Sequence, residues 1–217
     1  MRALSKVVSA FALWIFWAEW RSMQARLTSV YHVYLDKVSD RPSVLAQQLL
    51  ISGEDHRFSS HGGIDPIAVF RAAWRTVVLR HFEGASTIEM QIVRVITGRF
   101  ERTLRRKVLE MGLATLVTRV IPKSDLPAIY LHIAYYGWRM NSFDAACWRL
   151  KLRPSSISPI ETARLVARLK YPQPRSPSPR RRQQIDTRAS HLLQLHGRHK
   201  VGYTYSGISA ETRYASI

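Results

Sequence analysis

A chain of 217 residues with 46% hydrophobic content can build one core of respectable size, which excludes wholesale disorder and makes a single folded domain the expectation. The formal net charge of +18 calls for a polyanionic partner: nucleic acid, an anionic membrane face or a phosphate-bearing substrate. The single cysteine, Cys147 in "DAACW", excludes an internal disulfide and reads as an inert buried thiol.

The N-terminus is "MRALSKVVSAFALWIFWAEWRS", in which Arg2 and Lys6 precede an uncharged run from Val7 to Ala18 that closes at Glu19 and Arg21. A straight bilayer-crossing helix wants roughly 20 apolar residues, so this run is short for a span. Trp14, Trp17 and Trp20 suit an interfacial belt, and no small-residue cleavage site follows. Residues 1–30 therefore read as an anchor that spans marginally, with Lys6 and Arg21 snorkelling, or lies within the interface. An ordinary core helix is the plainer alternative.

The body, residues 31–175, reads as helix nearly throughout, and the expected fold class is all-α. "PIAVFRAAWRTVVL" carries Ile67, Phe70, Ala73 and Val77 at helical spacing, and "RTLRRKVLEMGLATLVTRVI" puts Leu109, Leu113, Leu116 and Val120 on one side. "SDLPAIYLHIAYYG" predicts a helix from a Ser124 cap that tolerates Pro127 and stops at Gly137. "SPIETARLVARL" predicts another, with Ser158 and Glu161 as a capping box and Pro159 at the first helical position. From Tyr171 the composition turns to "YPQPRSPSPRRRQQ", so residues 176–217 read as a basic linker and a loosely docked or disordered tail.

Four stretches bear on chemistry. In "LLISGEDHRFSSHGGID" an apolar run stops at the adjacent acids Glu54 and Asp55, where a carboxylate can be held partly dry. "RAAWRT" holds Arg71, "EGASTIEMQIVRV" holds Ser86, Thr87, Gln91 and Arg94, and "ERTLRRKVLE" holds Arg106, Lys107 and Glu110. Taken singly, each has a plainer reading. Glu54 and Asp55 suit a solvated helix end, Ser86 suits an N-cap, and Arg106 with Glu110 suits a surface ion pair at i,i+4. His56 and His61 lack a convincingly spaced third ligand and read as structural histidines.

In order and register, these stretches resemble the peptidoglycan glycosyltransferases of glycosyltransferase family 51. Glu54, Asp55, Phe58, His61, Gly63 and Asp65 match the first motif of that family. Gly84, Ser86, Thr87, Gln91 and Arg94 match the second, and Arg102, Thr103, Arg106, Lys107 and Glu110 match the third. Tyr130, Leu131, Tyr135 and Gly137 echo a fourth segment. The resemblance implies a lysozyme-like helical fold that polymerises lipid II. Glu54 would be the general base for the attacking sugar hydroxyl. Ser86, Thr87, Gln91, Arg94, Arg106 and Lys107 would bind sugar and diphosphate, with Asp55 and Arg71 as supporting partners. Glu110 would orient the cationic cluster, or a divalent cation such as magnesium or manganese, beside the diphosphate.

The departures are Thr76, Ala85, Glu89, Met90, Arg94, Val95 and His132, and Glu89 is expected to add negative charge near the diphosphate. They leave room for a weakly active or inactive relative that binds lipid-linked precursor as a scaffold in wall assembly. The other readings are a basic nucleic-acid-binding helical protein, with no binding module to support it, and a lysozyme-like hydrolase. The resemblance implies lipid II, the growing glycan strand, a bacterial inner membrane and other cell-wall synthesis proteins as partners, with no nucleic acid. The catalytic body would face the periplasm or the outer face, and peptide cross-linking would fall to another protein.

Overall fold

The computed structural model describes residues 2–36, 41–78 and 84–205. These residues are all-α, with no β-strand among them. The helices are α1 (Arg2–Ile15), α2 (Trp17–Asp36), α3 (Val44–Glu54), α4 (Pro66–Val78), α5 (Ile88–Thr97), α6 (Leu104–Ala114), α7 (Leu126–Ile133), α8 (Phe143–Leu150), α9 (Pro159–Lys170) and α10 (Pro179–His199). The chain forms two compact units, Met1–His32 with Ser60–Leu126, and Val33–Ser59 with Pro127–Ile217.

In the first unit, α2 buries Trp20, Met23 and Leu27 at spacings of three and four, which place them on one helix face. α5 and α6 pack together and bury Ile88, Met90, Ile92, Leu109 and Leu113. α1 packs on α6. Ser9 Oγ donates to the Thr115 carbonyl at 3.0 Å, and a Cβ on Gly112 would meet the Phe16 ring at 2.5 Å. Two expectations change here. Trp20 is a core residue, whereas Trp14 and Trp17 are exposed. No helix among the described residues is long and apolar enough to cross a membrane; the side chain of Lys6 lies outside the described residues.

Helix α4 forms where it is predicted, but its apolar face points outward. Ile67 and Phe70 of the expected stripe, with Trp74 and Val78, are all at least half exposed; the side chain of Val77 lies outside the described residues. Periodicity shows that a helix has an apolar stripe, and is silent on what covers it. α6 also stops sooner than its pattern suggests: at Ala114 it yields to a 3-10 turn over Val117–Arg119. Leu116 stays buried beyond the helix end.

Helices α3, α9 and α10 pack on one another in the second unit. α3 buries Leu49, Leu50 and Ile51, and α9 buries Ala163, Leu165 and Val166. α9 has the expected capping box between Ser158 and Glu161 with Pro159 in its first turn. α7 differs from expectation. Ser124 Oγ donates to Asp125 Oδ1 at 3.0 Å instead of capping, and the helix ends at Ile133. Gly137 instead makes a tight turn at φ +140°, where a Cβ would meet the Gln173 carbonyl oxygen at 2.2 Å.

The largest correction concerns the expected linker. Residues 179–199 form the 21-residue helix α10, and the non-helical stretch between α9 and α10 is confined to residues 171–178. The Ser178 side chain accepts from Arg181 N, with Pro179 at the first helical position, the same start signal that opens α9. Ile185, Ala189 and Leu192 form its buried stripe. Of the expected tail, residues 206–217 lie outside the described residues.

A polar network ties the end of α10 and the turn at Tyr205 to α3. Tyr205 Oη lies 2.6 Å from Ser52 Oγ and 2.8 Å from His196 Nδ1. His199 Nδ1 lies 3.1 Å from Ser52 Oγ, and its ring stacks on His56. Burial pushes His196 below the usual histidine range, with Lys200 and His199 adding to it; burial lowers His199 too, with His56 and Arg198 adding. An unfolded chain protonates these rings near about pH 6.5, and the folded chain does so only at lower pH. The unfolded state therefore binds more protons on acidification, so stability present above that value is lost as pH falls through the folded values. Thermal unfolding is expected to show a lower midpoint at about pH 5.5 than at about pH 7.5, with the difference smaller in His196→Gln and His199→Gln.

Candidate active site

The third motif begins a helix: Thr103 Oγ1 accepts from Arg106 N at 3.2 Å. One turn on, Arg106 and Lys107 lie four and three residues before Glu110, on a shared face. Glu110 is nearly inaccessible at 2% exposure. Arg94, from α5, donates to its Oε1 at 2.7 Å, Arg106 Nη1 donates to Oε2, and Lys107 Nζ lies 3.7 Å from Oε1. Three cations thus surround one buried anion. Ser86 Oγ accepts from Lys107 at 2.9 Å and from Arg94 at 3.2 Å. Burial pushes Lys107 below the usual lysine range; Glu110 opposes that, while Arg94 and Arg106 reinforce it.

This cluster carries two positive charges more than its carboxylate offsets, and its donors are not exhausted. The Nε atoms of Arg94 and Arg106 are buried with no hydrogen-bond partner among the described residues. Those buried nitrogens are closed to a ligand, but the side chains of Arg94 and Lys107 stay 28% and 30% exposed, and their outer donors suit an oxyanion such as phosphate. A divalent cation does not fit here. Both Glu110 oxygens already accept from guanidinium groups, and a dication would add like charge to three cations.

The second-motif residues divide by role. Thr87, not Ser86, caps α5: its Oγ1 accepts from Met90 N at 3.3 Å and donates to the Gly63 carbonyl at 2.7 Å. That bond secures the first-motif loop, where Gly63 sits at φ +110° and a Cβ would meet the Ala114 carbonyl oxygen at 2.5 Å. Gln91 is buried on α5. Asp65 Oδ1 accepts from Ile67 N at 3.0 Å and starts α4, the helix on which Arg71 lies.

The expected hazard of Glu89 is not realised as free charge. Its fully buried carboxylate pairs with Lys123 Nζ at 2.8 Å, and Lys123 also donates to the His61 carbonyl. Met90 is fully buried as well, so that departure sits in the core. The Thr76 side chain lies outside the described residues.

In the second unit, Glu54 is the last residue of α3 and Asp55 its buried C-cap. Glu54 is half-buried, yet its neighbour is not only an apolar wall: Arg188 Nη2 donates to Glu54 Oε1 at 3.1 Å and to the Gly53 carbonyl at 2.8 Å. Sequence reasoning missed Arg188 because it was assigned to the linker. The spacing of Ile185, Ala189 and Leu192 would have marked a helix there.

A sequence model of the Transglycosylase family matches residues 23–196. The chain belongs to that family. It is 35% identical over 149 residues to the biosynthetic peptidoglycan transglycosylase of Rhodospirillum centenum, covering 69% of this chain and 62% of that protein. To penicillin-binding protein 1C of Escherichia coli it is 30% identical over 149 residues, 68% of this chain and 19% of the relative. To penicillin-binding protein 1A of the same organism it is 39% identical over 97 residues, 44% of this chain and 11% of the relative. The chain thus spans less than two thirds of each of these relatives.

Proposed function

We propose that the protein is a peptidoglycan glycosyltransferase that polymerises lipid II into glycan strands, with inversion at the anomeric carbon and release of polyprenyl diphosphate. The observation that carries this reading is the set of Arg94, Arg106 and Lys107 on buried Glu110, built from the second and third motifs within a family match. The donor's leaving group is a diphosphate whose charge grows as its bond to the sugar breaks, and fixed cations stabilise that growth. Ser86 and the accessible ends of Arg94 and Lys107 suit its oxygens. Thr87 holds the neighbouring loop, with Gln91, Asp55 and Arg71 as supporting groups.

Glu54 is the base. It takes the proton of the acceptor hydroxyl while that oxygen bonds to the donor's anomeric carbon. The bond from that carbon to the diphosphate breaks, and its electron pair leaves with the diphosphate. The pairing of Glu89 with Lys123 and the burial of Met90 weaken the case for an inactive scaffold.

The helical body is assigned to the lysozyme-like class, working on the outer face of a bacterial inner membrane alongside other wall-synthesis proteins. Exposed apolar side chains favour an interfacial seat over a span. Phe11, Trp14 and Trp17 are exposed near the N-terminus, as are Ile67, Phe70 and Trp74 on α4. Arg139, Arg149 and Arg175, gathered on the Trp138 ring at 4.7, 4.3 and 5.2 Å, add charge that suits anionic lipid.

Purified protein incubated with lipid II in detergent is expected to yield a ladder of glycan strands on gels. Intact lipid II throughout would refute the assignment, and release of single sugars would favour a hydrolase.

A further inference from the structure

The basic C-terminal helix carries Arg188 against the end of α3. The Arg188 side chain is 11% exposed and that of Glu54 25%, so this is no solvated surface pair. One nitrogen, Nη2, serves both the Gly53 carbonyl and the Glu54 carboxylate. The approach is close because position 53 lacks a side chain: a Cβ there would meet Leu192 Cδ2 at 2.4 Å and Arg188 Nη2 at 2.9 Å. Leu192 and Ala189 are fully buried and fix the helix that bears the arginine.

We propose that Arg188 is a positioning residue for Glu54, so that α10 completes the catalytic apparatus. This rests on the reading of Glu54 as the base. A general base must hold its lone pair within hydrogen-bond reach of the proton it takes. Glu54 is the last residue of its helix, so a contact that reaches both its carboxylate and the carbonyl before it bears on where that carboxylate points. By gripping Oε1 and the preceding carbonyl together, Arg188 fixes both the side-chain rotation and the helix end. A cation at that end is also favoured by the helix dipole, and this gives the competing account, in which Arg188 only stabilises the fold.

The two accounts differ in a kinetic test on the full-length protein with lipid II in detergent. Arg188→Ala is expected to lower kcat about 10–100-fold, the scale of a misplaced catalytic group, with KM changed less than about threefold. Arg188→Lys should recover part of the loss, and added guanidinium ion should restore activity to Arg188→Ala. Rates are taken per folded molecule, with circular dichroism and thermal unfolding as controls. Should Arg188→Ala fail to fold, Arg188→Gln and Arg188→Lys carry the same comparison. In a Glu54→Gln background, Arg188→Ala should have no further effect on the residual rate. A kcat within twofold of wild type, or an equal loss in the Glu54→Gln background, overturns the proposal. A wild-type rate in Glu54→Gln alone would instead remove the base assignment beneath it.

Discussion

Glu54→Gln is expected to stop strand formation, lowering the polymerisation rate by about 10²–10⁴-fold, the usual contribution of a positioned base. Glutamine keeps the size of the side chain and can still accept a bond from Arg188. Arg188 also keeps its 2.8 Å bond to the Gly53 carbonyl, so α10 retains its grip on α3. What is lost is the oxygen that takes up a proton. The pair is half-buried rather than sealed, so the cost to stability should be about 1 kcal/mol, a fall of about 2–4 °C for a chain of this size. Gel analysis of products from lipid II, beside a thermal unfolding curve, separates the two effects. A variant that melts normally and still makes strands at the wild-type rate would mean that another group takes the proton.

How much of this could be read from the amino acids depends on the kind of signal. Arg94 and Ser86 enter the cluster on Glu110 from 16 residues before Glu110 and 21 before Lys107, respectively, and only the resemblance to the family motifs brought them in. Arg106 and Lys107, one turn from Glu110, were legible because they are local. The capping box at Ser158 was legible for the same reason. Thr87 was read as a substrate contact and Ser86 as the cap, because adjacent hydroxyl residues compete for one N-cap position. The winner depends on where the chain enters the helix, which here follows from the Thr87 bond to Gly63, 24 residues away.

Lys123 was missed as the partner of Glu89 because the two are 34 residues apart, and charge pairing at that distance leaves no periodic trace. α10 was misread for a different reason. Ser178 and Pro179 are the same start signal as Ser158 and Pro159, but proline, serine and arginine dominated the window around them. Only three of its 21 residues are buried, so its apolar stripe is thin. A thin stripe suffices for a helix that rests on one face of others. Composition averages it away, and Arg188 was lost with it.

Glu110→Gln should produce the second large effect, and in an unusual combination. The carboxylate separates three cations, and removing its charge leaves them facing one another in a half-buried setting. Taking one partner from a buried ion pair costs about 3–5 kcal/mol; the cations here are partly open to water, which argues for the lower end. A loss of about 3 kcal/mol corresponds to a midpoint lower by about 6–12 °C. Polymerisation should fall steeply as well, because Arg94 and Arg106 lose the anchor that aims them. Inorganic pyrophosphate should nevertheless raise the melting midpoint of the variant more than that of the wild type, since an external anion then replaces the missing internal one. Thermal unfolding with and without pyrophosphate measures both quantities at once. An ordinary exposed ion pair would shift the midpoint by little and leave the pyrophosphate response unchanged; that result would take Glu110 out of the diphosphate site.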